Sequence, residues 1–152
     1  FFTESIVGAE AICEELNKAG VTAATIHAGL SSKERQRAFL DFSDKRIQAL
    51  TAVKVMDEGV DVPEADLAVI ISASKTRRQM IQRMGRVLRL KTDGRKARFV
   101  FVFVAETSED PSRGAHDEFW NEVLDIATAS RKFDIPSETK ELTKFLDPKS
   151  KD

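Results

Sequence analysis

The chain has 152 residues, 41% hydrophobic and 32% charged, with a net charge of −1, enough for one soluble domain with a real core and too near neutral for a generally basic nucleic-acid binder. One cysteine, Cys13, excludes an internal disulfide and a multi-cysteine metal site, and points to a reducing, cytoplasmic compartment. No apolar run reaches the length of a membrane span and no signal segment opens the chain, so no membrane partner is expected.

Phe1 to Thr3 reads as the end of a short apolar strand, and opening on FFT without a methionine suggests a piece of something longer. Ile6 to Lys18 has helical spacing, with Ile6, Ala9, Ile12, Cys13 and Leu16 on one side and Gly20 as the stop. Val21 to Ile26 is a second strand. Ser31 and Ser32 precede a charged helix from about Lys33 to Phe42, in which Ala38, Phe39 and Phe42 supply apolar contacts; Ser31 and Glu34 have capping-box spacing. Ile47 to Val53 is a third strand, and Asp57 to Pro63 a loop containing Gly59. Leu67 to Ser72, LAVIIS, is the nearly continuous apolar run of a parallel strand covered on both faces.

A helix follows from about Arg77 to Leu90, carrying QMIQRMGRVLR at residues 79 to 89. At roughly 100° per residue, Gln79, Gln82, Arg83, Arg86 and Arg89 fall within an arc of about 120°, opposite Met80, Ile81, Met84, Val87 and Leu88. One face docks on a core, and the other presents planar donor forks suited to phosphate or carboxylate. Gly85 lies at the shoulder. A mid-helix glycine costs about 1 kcal/mol relative to alanine, and close approach of another backbone or a ligand would offset it. The bland alternative is a solvated arginine face. Charge argues against it, because residues 75 to 98 hold ten Lys and Arg against one acid, while the stretches on either side are each net −5. A localised anion-facing surface is implied.

LKTDGRK is a polar turn around Asp93 and Gly94, and Arg98 to Val104, RFVFVFV, a fifth strand whose aromatics are core. Ala115 to Ala129 is an amphipathic helix expected to bury Phe119, Trp120, Val123, Leu124 and Ile126. The domain is taken as residues 1–135. Residues 136–152 are read as a polar extension, open between a helix packed on an absent domain and a frayed tail. Strands alternating with helices at this spacing give an α/β fold: a mostly parallel sheet of about five strands with helices on both faces. Ligands gather at the carboxyl ends of such strands, where the 27–35, 53–61 and 73–89 segments begin.

Four motifs then fall in order. FFTES with its helix, HAGLSSKERQRAF, DEGVDVPEAD and QMIQRMGRVLR together resemble the second, C-terminal RecA-like domain of superfamily 2 helicases and translocases, over Phe1 to about Val104. DEGVDVP and QRMGRVLR are most similar to the XPB-type and RadD-like branches; Gln82 stands where the DEAD-box branch has His. The resemblance implies ATP with Mg2+ in a cleft between two RecA-like domains of one chain, the first supplying the phosphate loop, the magnesium ligand and the catalytic carboxylate. It implies that Arg86 and Arg89 act as arginine fingers, that Gln82 contacts or organises the nucleotide, and that Arg83 makes a salt bridge. By the same resemblance Asp61 hydrogen-bonds the ribose, Gly59 lets its loop turn, and Gly85 lets the halves close. Thr3, His27, Gly29 and Arg35 correspond to the nucleic-acid track, with DNA preferred over RNA, and Arg35 is a phosphate candidate. His27 is expected to fix its loop by hydrogen bonds rather than to do acid–base chemistry. Val53 stands where the family has Thr or Ser, with Thr51 nearby and Lys54 as substitute.

His116 and Cys13 have no partners at metal-ligand spacing, and no metal site is expected. No GxxxxGK[ST] stretch or DExx-type motif occurs, so the chain alone is expected to be inactive within a larger ATP-hydrolysing helicase. The alternative is a stand-alone, non-catalytic nucleic-acid-binding module of the same fold.

Overall fold

The computed structural model describes residues 1–53, 65–71, 97–113, 121, 123–125 and 127–147. The expected 77–90 helix, the 57–63 loop, the 93–94 turn and most of the 115–129 helix lie outside these residues.

Five strands, β1 (Phe2–Thr3), β2 (Ala23–Ile26), β3 (Ala49–Val53), β4 (Leu67–Ile71) and β5 (Arg98–Val102), form one sheet in the order β2-β3-β1-β4-β5. Every pairing is parallel. Helix α1 (Ile6–Lys18) connects β1 to β2, and α2 (Ser32–Ser43) connects β2 to β3. The two connections cross the sheet in opposite directions, so right-handed crossovers put them on opposite faces. The expected α/β architecture with helices on both faces is what forms.

Local chemistry explains the boundaries. Ser5 caps α1 by accepting from the Gly8 N–H at 3.0 Å. Gly20, at φ 84°, follows the helix in the left-handed conformation that closes it. Ser31 and Glu34 form the expected capping box. β2 and β3 each start two residues later than hydropathy suggests. The Val21 N–H is taken by the Leu16 carbonyl at the end of α1, and the Ile47 N–H by the Asp41 carbonyl near the end of α2. In their place Thr22 and Gln48 bracket the strand starts, with the Gln48 N–H donating to the Thr22 carbonyl at 2.8 Å and the Thr22 N–H to Gln48 Oε1 at 3.1 Å. β5 ends at Val102, the ladder partner of Ile71, two residues earlier than hydropathy suggests.

The core lies at the centre of the sheet. Ala68, Val69 and Ile70 are all buried, so both faces of β4 are covered, and Phe2, Phe99 and Phe101 pack against Ala68 and Ile70. Thr51 is fully buried and donates to the Thr25 hydroxyl across the β2–β3 ladder at 2.9 Å, which satisfies its polar atom in place. One expected burial, that of Leu124, is corrected. On the apolar side of α1, Ile6 is 41% exposed, and Ala9 one turn later is the residue fully covered. Leu124 is 47% exposed while Val123 is half-buried; neighbours on a helix point about 100° apart, and the helix has ended by Ala127. After residue 136 the chain forms a helix, α3 (Thr139–Leu146).

Candidate nucleotide and nucleic-acid edge

The carboxyl edge of the sheet is assembled from the strand registers. Ile26 pairs with Ala52, Thr3 with Val53, Phe2 with Ile70, and Ile71 with Val102. β1 therefore sits between β3 and β4, and the 54–64 and 72–96 stretches follow in sequence from the two strands flanking Thr3. Adjacent strands are about 4.8 Å apart, so the three exits fall within about 10 Å. The candidates Lys54, Gly59, Asp61, Gln82, Arg86 and Arg89 lie on those two stretches, outside the described residues.

Thr3 is brought beside Val53, the residue standing where a hydroxyl was anticipated. Thr3 is 7% exposed and its Oγ1 donates to the Ser5 carbonyl at 3.0 Å, which shapes the entry to α1. Thr51 is withdrawn from any ligand by its bond to Thr25. The approach of α1 is tight. A Cβ on Gly8 would stand 3.0 Å from Ser5 Oγ and 3.7 Å from Thr3 Oγ1, so a bare Cα keeps the cap and the strand end together.

His27 and Gly29 lie in the loop after β2 and Arg35 in the first turn of α2 that follows it; β2 is two strand spacings from β1 and Thr3, about 10 Å. The Gly29 N–H donates to His27 Nδ1 at 3.2 Å, and the Leu30 N–H to the His27 carbonyl at 3.1 Å. Nδ1 can accept only when unprotonated, so the bond selects the tautomer with its proton on Nε2. Nε2 lies 3.8 Å from Glu10 Oε1 of α1. A Cβ on Gly29 would meet His27 Nδ1 at 3.0 Å and Cε1 at 3.1 Å, so the glycine is needed for the ring to lie flat against it. The expectation that His27 fixes its loop agrees with this geometry.

Arg35 is half-buried and turned back on the loop. Its Nη1 donates to the Leu30 carbonyl and its Nη2 to Ser32 Oγ at 3.3 Å. Beside it, Glu34 Oε2 accepts from the Ser31 hydroxyl at 2.7 Å and the Ser31 N–H at 2.8 Å. Those bonds, the hydroxyl first, hold the Glu34 carboxyl below its ordinary range.

Sequence reasoning missed two contributors. Glu10, the partner of His27, carries no signal beyond an acid on the exposed side of a helix. Asp110 carries one. Asp-Pro-Ser at 110–112 is an Asx-turn signature; the Ser112 N–H and hydroxyl donate to Asp110 Oδ1 at 2.9 and 2.7 Å, and the Glu106 N–H to Oδ2 at 2.9 Å. The Glu106 amide first, then Ser112, push Asp110 down to a pKa of about 2. This knot lies just beyond the carboxyl end of β5.

Among the described residues no group of three or more His, Cys, Asp or Glu could hold a metal ion, and no helix is long and apolar enough to cross a membrane.

The model of the helicase conserved C-terminal domain matches residues 1–91. A DNA 3'-5' helicase XPB of Kineococcus radiotolerans is 38% identical over 99 residues, 64% of this chain and 18% of that protein. The pre-mRNA-processing ATP-dependent RNA helicase PRP5 of Kluyveromyces lactis is 35% identical over 100 residues, 63% of this chain and 12% of that protein. The alignments thus span less than a fifth of either relative. The C-terminal domain of S. cerevisiae Dbp5 superposes with a TM-score of 0.66 at 22% identity, over 95% of this chain and 79% of that one. That likeness shows the fold, a RecA-like parallel sheet.

Proposed function

Because this chain belongs to the helicase conserved C-terminal domain family of superfamily 2, with XPB-type helicases among its relatives, we propose that it is the second motor domain of an ATP-dependent nucleic-acid helicase or translocase. The observation that carries the reading is the strand order. β1 lies between β3 and β4, so the FFTES, DEGVDVPEAD and QMIQRMGRVLR stretches leave the sheet from three adjacent strands at one edge. Residues separated by most of the chain length can then meet one ligand.

In this reading Arg86 and Arg89 meet the charge that develops on the transferring phosphoryl group, a contribution of about 10³ to 10⁵ in rate for an arginine of this kind. Gln82 contacts or organises the nucleotide. Asp61 accepts from the ribose hydroxyls and Gly59 turns the loop that presents it. Thr3, Gly29, Arg35 and Lys54 line the nucleic-acid track. Arg35 does so with a guanidinium already fixed by Leu30 and Ser32, which positions its remaining N–H groups before any phosphate arrives. ATP with Mg2+ supplies the phosphoryl group. The phosphate loop and magnesium ligands are assigned to a first RecA-like domain of the same polypeptide, since no GxxxxGK[ST] stretch occurs in these residues. DNA is proposed over RNA on the XPB-type wording of DEGVDVP and QRMGRVLR.

Nucleic-acid-stimulated ATPase of the full-length protein tests this. Arg86→Ala or Arg89→Ala is expected to lower kcat by about 10³-fold or more while nucleic-acid binding persists, and the 152-residue chain alone should show negligible turnover. Unchanged ATPase in both variants, or robust turnover by the isolated chain, would overturn the assignment. Nucleic-acid binding without any ATPase in the full-length protein would establish a binding module instead. Stimulation by RNA and not DNA would reverse the choice of polymer.

A further inference from the structure

Among the described residues β5 is the outer strand of the sheet on its side, and outer strands are commonly covered by another part of the chain. Residues C-terminal to it are tied to both of its ends. Near the carboxyl end, Lys132 Nζ lies 3.9 Å from Asp110 Oδ1 and 5.2 Å above the Phe103 ring centroid. Asp110 is only 3% exposed and held by three donors, so this anchor is a fixed one. At the amino end, Arg98 Nη1 donates to the Leu146 carbonyl in the last turn of α3, and Nη2 meets Asp66 Oδ2 at 3.1 Å.

Among the described residues, several contacts within the segment tie it together. The Phe133 and Phe145 rings are 5.5 Å apart, Arg131 stacks 4.9 Å over Phe133, and the Asp134 N–H donates to Glu138 Oε2 at 2.7 Å. Length fits as well. Five strand residues extend about 17 Å, and the eight-residue α3 covers about 12 Å, leaving the 133–138 stretch to complete the run.

We propose that residues 131–147 form a strap along the flank of β5, fastened at Lys132 and Arg98, which detaches as one unit while the sheet stays folded. Few buried contacts mark a segment that opens below the global unfolding free energy, and α3 has no buried residue. Both fastenings are polar, and the aromatic pair travels with the strap. On this assignment the segment guards the fold's own edge and is not an extension reserved for another domain. Its amino-end fastening, Arg98 to the Leu146 carbonyl, is backed by the Arg98–Asp66 pair at the start of β4 and β5.

The distinguishing property is that loosening one fastening releases the far end. Hydrogen exchange by mass spectrometry on the full-length protein reads this directly. Lys132→Ala removes one ion pair and one cation–π contact, so amides of 139–146 should exchange about tenfold faster, with 6–18 and 49–53 unchanged. Lys132→Arg, which keeps charge and ring contact, should restore the original rates. Faster exchange confined to 103–113 and 131–133 would show two independent contacts and overturn the strap. An equal rise in every segment would make the region part of the global core and overturn it too.

Discussion

Gly29→Ala isolates the packing that shapes the loop after β2. Gly29 has no positive φ, so its backbone accepts alanine, and alanine there should stabilise by about 0.4–1 kcal/mol through the unfolded chain. The ring of His27 opposes this, because the added Cβ would lie 3.0 Å from Nδ1 and 3.1 Å from Cε1. The ring must turn away, losing the 3.2 Å bond from the Gly29 N–H. That bond is worth about 1 kcal/mol, and holding the ring off its rotamer adds about 0.5–1.5 kcal/mol. The net expectation is destabilisation of about 1 kcal/mol, or about 2–4 °C in Tm for a chain of this size. With His27→Ala already present the obstacle is gone, so the same Gly29→Ala should now stabilise, by about 0.4–1 kcal/mol. Urea unfolding of the four proteins, at constant m, gives the coupling energy. An equal effect of Gly29→Ala in both backgrounds would refute the reasoning, because the ring would then not be what the glycine accommodates.

Ser31→Ala removes the cap of α2 and both bonds from Ser31 Oγ, and should cost about 1 kcal/mol by thermal melt, whereas Ser31→Asp should cost less. Gly20→Ala places a Cβ at φ 84° in open space, so backbone strain of about 1–2 kcal/mol is the whole effect, read as a lower urea midpoint. Asp110 has a folded pKa of about 2 against an ordinary 3.8, so its stabilisation is complete above about pH 4 and is lost as pH falls through about 2. The stability difference between the wild type and Asp110→Asn should therefore be flat above about pH 4 and shrink below it; a difference independent of pH would show that the carboxylate charge is not involved.

What the sequence made legible is what punctuation and parity encode. Gly20 closes α1 and the Ser31–Glu34 box opens α2 at the residues expected, because each supplies what the helix end needs. LAVIIS was readable as a covered strand, because apolar residues at both parities have no other use in a parallel sheet. The starts of β2 and β3 were not readable. They are set by Val21 and Ile47 bonding to carbonyls of the preceding helices, and every residue owns a carbonyl. Arg35 is the same case: its acceptor is a backbone oxygen, and no residue pattern announces it. Ile6 and Leu124 show the complementary limit, since periodicity says which way a side chain points and not how far the neighbouring element extends.

The candidate site divides along the same line. Residue types near strand ends can be listed from one dimension, but their adjacency depends on β1 entering the sheet between strands that begin 46 and 64 residues after it, as the Thr3 to Ala49 and Thr3 to Leu67 spacings show. That insertion is driven by burial. Phe2 packs against Ala68 and Ile70, and the ladder runs Phe2 to Ala52 on one side and Phe2 to Ile70 on the other. A two-residue strand with few hydrogen bonds of its own is held by that ring and its two neighbours. The side chain with the most control over whether the three site-bearing stretches share an edge is therefore Phe2, an apolar residue that touches no ligand in the reading proposed here.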